Sequence, residues 1–135
     1  MLLPMPRLHV GLLYGGRSPE HDVSIRSARN VFTALTERTG ADRYHVTPIR
    51  IDRDGGWHVE KTVADGETTS STQGGALLAG LALDIAIPML HGANGEDGRT
   101  QGFLQTLGIP YVGPDVMASA ACMDKEVTKR LLRDA

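Results

Sequence analysis

The sequence predicts an α/β fold of the Rossmann-like class, in which a mainly parallel sheet carries helices on both faces. Two observations lead to this prediction. Apolar runs alternate along the chain with segments of helical period, and the runs at residues 10–13 and 85–90 are nearly continuous, as in strands buried on both faces. The 135 residues are enough for one core, so we assign residues 1–135 to a single domain.

The first apolar run leads directly into a candidate binding loop. Residues 10–13 supply a buried strand, and Gly15 and Gly16 allow a tight turn with close backbone approach. Glu20 and His21 follow near the carboxyl end of that strand, which is where ligands bind in open α/β sheets. A second run, at residues 85–90, ends in the same way before His91.

The other elements follow from periodicity and from turn residues. Apolar residues at helical spacing predict an amphipathic helix over 20–39 that stops at Gly40. Pro48 cannot donate to a strand ladder, which favours a sheet edge or a bulge there. A polar segment without apolar period predicts a surface loop over 61–75. The remaining predictions are strands at 44–51, 85–90 and 109–112, a short hairpin at 54–59, and helices at 76–83, 95–107, 115–122 and 125–133.

The amino-acid composition argues against nucleic acid and membranes as binding partners of this protein. The net charge of -2 gives no electrostatic attraction for nucleic acid or an anionic membrane, and 4% aromatic residues provide little stacking surface. The apolar runs are too short to span a bilayer, and the first residues lack the apolar core of a signal peptide. The single cysteine, Cys122, fits a reducing compartment. We therefore expect a cytoplasmic protein that binds neither nucleic acid nor membrane.

Two common nucleotide motifs are missing from the sequence. Gly11, Gly15 and Gly16 do not have the spacing of the dinucleotide fingerprint, and no Gly-Lys-Ser or Gly-Lys-Thr occurs. A dehydrogenase is therefore the weakest of the hypotheses. No Ser/His/Asp or Cys/His catalytic set can be assembled from spacing.

Several polar residues have both a structural and a functional interpretation. Glu20 either complements the positive end of a helix dipole or holds a substrate ammonium. His91 directly follows an apolar strand, where it can face a ligand. Glu96 and Asp97 are interpreted as the acidic first turn of the next helix rather than as metal ligands. Lys125 is a solvated helix residue unless a phosphate is brought to it.

Three segments, in this order, resemble the amino-terminal part of D-alanine-D-alanine ligases of the ATP-grasp superfamily. They are GGRSPEHDVSIRSARNV at 15–31, IPMLHGANGEDGRTQGFLQTLGIPYVG at 87–113 and ASAACMDKEVTKRLL at 118–132. The resemblance implies a pre-ATP-grasp, Rossmann-like domain. It also implies an enzyme that joins two D-alanines for peptidoglycan, and hence for cell wall biogenesis and cell shape. ATP phosphorylates the first D-alanine, the amine of the second attacks the acyl phosphate, and Mg²⁺ neutralises the phosphates.

The same resemblance assigns roles to four residues. Glu20 matches the glutamate that holds the ammonium of the first D-alanine, and His91 matches a histidine of the same subsite, so both are candidate catalytic and substrate-binding residues. Val23 lies in the substrate-facing loop, with packing as its alternative role. Lys125 matches a lysine that reaches the nucleotide phosphates. No metal ligand is expected in this chain, and the family implies a homodimer.

The resemblance also sets expectations about what this chain lacks. The ATP-grasp domain, which would bind most of the ATP and Mg²⁺, is expected to follow residue 135, so we expect the chain alone to hold no cofactor and to be inactive. The loop at 93–94 leaves D-lactate open as second substrate. The alternative hypothesis is a stand-alone Rossmann-like binding or interaction module.

Overall fold

The computed structural model describes residues 6–37, 40–64, 66 and 71–135. The predicted helix end at 38–39 and part of the predicted loop, at 65 and 67–70, lie outside the described residues. In chain order the elements are β1 (Leu8–Gly15), α1 (His21–Thr36), β2 (Tyr44–Ile51), β3 (Trp57–Val59), α2 (Gly74–Leu81), β4 (Ile85–Pro88), α3 (Arg99–Thr106), α4 (Val116–Met123) and α5 (Lys125–Asp134).

The strands form one sheet in the order β3-β2-β1-β4. β1 pairs in parallel with both β2 and β4, and the short β3 pairs antiparallel with β2. The six residues from Val10 to Gly15 are buried, because β1 has a strand on each side and helices above and below it. The predicted mainly parallel sheet is confirmed.

Helices cover both faces of this sheet. Side chains alternate along β1, so Leu12 faces α1 together with Ile25 and Ala28, whereas Leu13 faces the opposite side. On that opposite side α2 and α3 contribute Leu78 and Leu104 to a second core cluster. The α/β class with helices on both faces is therefore confirmed.

The structure agrees with the prediction that Pro48 lies at a sheet edge. β3 pairs only with residues 49–51 of β2, and Pro48 lies just before them, opposite Leu12 of β1. The Pro48 carbonyl oxygen accepts from the Glu60 N–H at 2.9 Å, on the β3 side. Since the nitrogen and carbonyl of a strand residue point to the same side, the missing N–H faces the end of β3 and breaks no bond with β1.

The larger remaining differences from the prediction are at three places. The helix predicted from residue 95 begins at Arg99, because Gly98 has φ 92° and a left-handed residue cannot continue the helix backwards. The strand predicted at 109–112 is a single parallel bridge between Tyr111 and Ala86. Within the segment predicted as a surface loop, Val63 is buried and α2 already begins at Gly74.

Gly11 has a packing role. A β-carbon at this position would overlap the side chain of Leu83, which lies on the α2 and α3 face of the sheet. Gly11 therefore serves the contact between β1 and the segment before β4. This packing role explains why a glycine occurs inside β1, and no nucleotide-binding role is needed for it.

A buried polar cluster lies on the α1 face at the end of β2. Arg50 is 3% exposed and forms ion pairs with Asp52 and with Glu60, the latter at 3.0 Å. The Nε2 atom of His58 lies 2.6 Å from Asp52 Oδ2. The charges are thus paired where they are withdrawn from water.

Tyr14 extends into the same region from β1. Its hydroxyl donates to the Ala64 carbonyl and accepts from the Ala64 N–H, both at 3.2 Å. Burial raises the pKa of the Tyr14 hydroxyl above its usual 10.0, with a further upward contribution from the Glu60 carboxylate. The phenol is therefore held neutral in the folded chain.

No helix of the described part of the chain is both long enough and apolar enough to cross a membrane.

Candidate functional site

The strand order creates a crevice between the carboxyl ends of β1 and β4. The chain passes from β1 through α1 to β2 on one side of β1, while β4 lies on the other side and leads to α3 on the opposite face. Loops that leave neighbouring parallel strands toward opposite faces diverge, and the gap between them is where ligands bind in open α/β sheets. Here the two loops are residues 16–20 and 89–98.

Two serines tie these loops together. The Ser24 hydroxyl accepts from the Gly15 N–H at 2.8 Å and donates to the Met89 carbonyl at 2.5 Å. The Ser18 hydroxyl donates to the carbonyl oxygen of His91 at 2.6 Å. Both serines are buried, so their bonds fix the two loops relative to each other.

His91 lies at the centre of the crevice. Its side chain is 27% exposed, and its Nε2 atom is 3.1 Å from the Ser27 hydroxyl on α1. Its Nδ1 atom is 3.7 Å from Oε1 of Glu96. The imidazole is thus held between a helix and a carboxylate while part of it stays accessible.

Glu20 forms the N-cap position of α1, but its side chain makes no capping hydrogen bond. A β-carbon built on Gly92 would lie 2.9 Å from Glu20 Oε2, so the carboxylate rests against the loop that carries His91. Glu20 is exposed, and no side chain of the described ranges donates to its carboxylate. An accessible anion without an internal counter-charge is suited to binding an ammonium.

Val23, which the resemblance placed in a substrate-facing loop, lies within α1 instead, and with Ser27 it follows Glu20 on the same face of that helix. The spacings of three and four residues place these side chains one above another on a helix. Val23 is 40% exposed, which argues against a role in core packing. Glu20, Val23, Ser27 and His91 form a patch at the mouth of the crevice, which we call the α1–His91 patch.

Glu96 and Asp97 do not form the first turn of the next helix as predicted. They precede Gly98, and their carboxylates accept backbone N–H groups of the loop, while Asp97 Oδ1 also accepts from the N–H of Arg99, the first residue of α3, at 3.2 Å. Glu96 Oε2 accepts from Gly92 at 2.7 Å, and Asp97 Oδ2 accepts from Asn94 at 2.9 Å. Their role is to hold the loop that carries His91 and to place a negative charge beside its ring.

The structure does not bring Lys125 into the α1–His91 patch. Lys125 is the first residue of α5, directly after the capping Asp124, and is exposed. It forms no ion pair with any carboxylate in the part of the chain that is described. Its proposed phosphate contact therefore stays a prediction.

Two clefts lie on either side of His91. The larger, about 450 Å³, extends toward α4, and the smaller, about 310 Å³, extends toward β3. Leu90, His91 and Gly95 line both clefts. Among the described residues no group of three or more His, Cys, Asp or Glu side chains could hold a metal ion.

Sequence reasoning missed the three serines of this site. Ser18, Ser24 and Ser27 are spaced by six and three residues around Glu20, and the last two continue the helical face that Glu20 begins. That spacing was the only available signal, because their partners Met89 and His91 are more than 60 residues away. Hydrophobic periodicity carries no information about such pairs.

Known proteins share this arrangement of elements. A family model described as "D-ala D-ala ligase N-terminus" matches residues 9–114. The D-alanine-D-alanine ligase of Methylobacterium sp. (strain 4-46) is 47% identical over 96% of this chain and 38% of its own length. D-alanine-D-alanine ligase A of Escherichia coli K12 is 39% identical over 97% of this chain and 42% of its own length.

Solved structures agree with the sequence matches. The D-alanine-D-alanine ligase from Coxiella burnetii superposes with a TM-score of 0.74 at 33% identity, covering 95% of this chain and 41% of that one. The VanG D-Ala:D-Ser ligase from Enterococcus faecalis superposes with a TM-score of 0.72 at 28% identity, covering 95% and 42%. The chain thus spans about 40% of the length of the relatives it matches.

Proposed function

The chain belongs to the D-alanine-D-alanine ligase family, and from this we propose that it supplies the first-substrate half of an ATP-dependent D-alanine-D-alanine ligase. The protein that contains it would form the dipeptide through an acyl phosphate of the first D-alanine, for peptidoglycan and the cell wall. Because the chain spans about 40% of its relatives, this activity is proposed for the longer protein.

The observation that carries the proposal is the Glu20 carboxylate. It lies against the Gly92 backbone, beside the loop of His91, and has no donor side chain among the described residues. In our proposal it holds the ammonium of the first D-alanine by a charge-assisted hydrogen bond. His91 then contacts the substrate carboxylate, and Val23 packs against the substrate methyl group.

Of the residues in this chain, we propose only Lys125 for contact with a nucleotide. When bound, ATP would supply the phosphoryl group and Mg²⁺ would neutralise its charge. Lys125, which is exposed and lacks an ion-pair partner among the described residues, would contact a phosphate. In our proposal, the carboxylates that hold the metal belong to another part of the protein.

Two further properties belong to the proposal. We place the protein in the cytoplasm, and we propose that it forms a homodimer, as the resemblance implied. Light scattering on the protein that contains this chain tests the second property. A mass equal to one copy at high concentration would contradict it.

The function is tested by ATP turnover in the ligase that contains this chain. We expect ADP release that depends on D-alanine, with D-alanyl-D-alanine as product. Glu20→Gln should raise the KM for the first D-alanine about tenfold or more, because a hydrogen bond to a charged group contributes about 1.5–3 kcal/mol. The KM for ATP should stay unchanged.

Glu37→Gln is the matched control. Glu37 is exposed at the other end of α1, so its substitution removes the same charge far from the site. ADP release without D-alanine, or equal KM values for Glu20→Gln and Glu37→Gln, would contradict the proposal. The 135-residue chain by itself should release no phosphate with D-alanine and ATP.

A further inference from the structure

We propose that Ser27 is a positioning residue for His91, and that together with the Glu96 carboxylate it fixes the imidazole as the Nδ1–H tautomer. The effect on catalysis rests on the proposed function. The geometry and the tautomer can be examined without it.

Ser27 is the group that orients the ring. The hydrogen bond from the Ser18 hydroxyl to the His91 carbonyl, at 2.6 Å, fixes only the backbone of His91. Among the described residues the ring has one hydrogen bond, which joins the Ser27 hydroxyl and the Nε2 atom at 3.1 Å. Ser27 lies in the rigid second turn of α1, so its hydroxyl is a fixed reference point for the imidazole.

The position of the ring proton follows from what each nitrogen faces. Nδ1 faces the Glu96 carboxylate, which favours a proton on that nitrogen. The Glu96 carboxylate is itself held by the Gly92 N–H at 2.7 Å, so it does not turn away. In the neutral ring Nε2 is then the acceptor, and the Ser27 hydroxyl donates to it.

This tautomer leaves one donor for a ligand. The 3.7 Å between Nδ1 and Glu96 Oε1 exceeds a direct hydrogen bond, so the Nδ1 proton is not consumed by that carboxylate. The Nδ1–H therefore stays available as a donor on a side chain that is 27% exposed. Such a group binds an anionic oxygen, which on the proposed function is the carboxylate of the first D-alanine.

The tautomer is measured in this chain by ¹⁵N NMR of its labelled histidines, with the His91 signals assigned by its substitution. In the unsubstituted chain we expect a protonated Nδ1 and an unprotonated Nε2. Ser27→Ala should produce a mixture of the two tautomers, whereas Ser27→Thr keeps the hydroxyl and should preserve the single form. Thr33→Ala, which removes an exposed hydroxyl from the same helix, should change nothing.

The same variants are then compared by kinetics in the ligase that contains this chain. Ser27→Ala should lower kcat/KM for the first D-alanine about five- to tenfold, the effect of one lost hydrogen bond, with the KM for ATP unchanged. Ser27→Thr should restore it. A protonated Nε2 in the unsubstituted chain, or a tautomer unaffected by Ser27→Ala, would overturn the inference. Absence of D-alanine-dependent turnover would instead overturn the proposed function and leave the NMR result standing.

Discussion

The Ser24 hydroxyl donates to the Met89 carbonyl at 2.5 Å, which joins the first helix to the end of β4. The same oxygen accepts from the Gly15 N–H at 2.8 Å, so one buried side chain connects both strands that border the crevice. Ser24→Ala leaves two buried backbone groups without a partner. We expect a loss of about 2–4 kcal/mol in the free energy of unfolding, measured by urea denaturation.

The control for Ser24→Ala is Thr33→Ala, at an exposed position of the same helix. It should change stability by no more than about 0.5 kcal/mol. If the two variants unfold at the same urea concentration, Ser24 does not hold the strand ends together.

Gly15→Ala tests the turn that ends β1. Gly15 has φ 88°, and a β-carbon there would overlap the carbonyl oxygen of Ile51 and lie 3.0 Å from the His21 ring. The positive φ alone costs about 1 kcal/mol for alanine. We expect about 3 kcal/mol in total, because the backbone oxygen cannot move aside.

Gly108→Ala separates the two contributions. Gly108 also has a positive φ, 69°, but nothing lies within 4 Å of its would-be β-carbon. It should lose only about 1 kcal/mol. An equal loss in both variants would show that the contact with Ile51 is unimportant.

The raised pKa of Tyr14 predicts a loss of stability in alkali. The unfolded chain loses this proton near pH 10, while the folded chain retains it to higher pH. Over that interval the unfolded state binds fewer protons, so the contribution is complete below about pH 10 and is lost as pH rises through the folded pKa. Urea unfolding between about pH 9 and 11 should therefore show a decline that Tyr14→Phe removes.

Tyr44→Phe serves as the comparison for Tyr14→Phe, because Tyr44 lies at the start of β2 and is only partly buried. Its decline in alkali should match that of the unsubstituted chain. If Tyr14→Phe also matches it, burial of Tyr14 does not control the response to pH.

Asp52→Ala tests the buried polar cluster. Asp52 pairs with Arg50, whose side chain is 4% exposed, and with His58. Its removal leaves Arg50 with less compensating charge in a buried place, so we expect a loss of about 3 kcal/mol by urea denaturation. Asp42→Ala, an exposed aspartate, should cost less than about 0.5 kcal/mol. A similar loss in both would argue against the cluster.

The architecture could be predicted from the sequence because buried faces of strands and helices produce a periodic pattern of apolar residues. The continuous run at 10–13 and the helical spacing of Ala28, Val31 and Phe32 were sufficient for β1 and α1, which form the first core cluster. The start of α3 could not be predicted, since the backbone angle of Gly98 leaves no mark in polarity. The strand predicted at 109–112 proved to be a single bridge at Tyr111.

Only part of the candidate site could be predicted from the sequence. Resemblance picked out Glu20, Val23 and His91, and their roles stay predictions. The pairing of Ser27 with His91 spans 64 residues and exists only in three dimensions. Resemblance also picked out Lys125, and its contact with a nucleotide phosphate stays a prediction.

The short β3, and the prolines Pro88 and Pro110 next to β4, affect whether molecules of this protein can pair through the edges of their sheets. Free strand edges invite pairing between molecules and lead to aggregation. On one side β3 has three residues, and Trp57 already exchanges hydrogen bonds with Thr72. On the other, β4 ends at Pro88 and its Ala86 is bonded to Pro110 and Val112. Among the described residues, β3 and the bridge at Tyr111 thus occupy part of each sheet edge, which leaves less edge for an incoming strand.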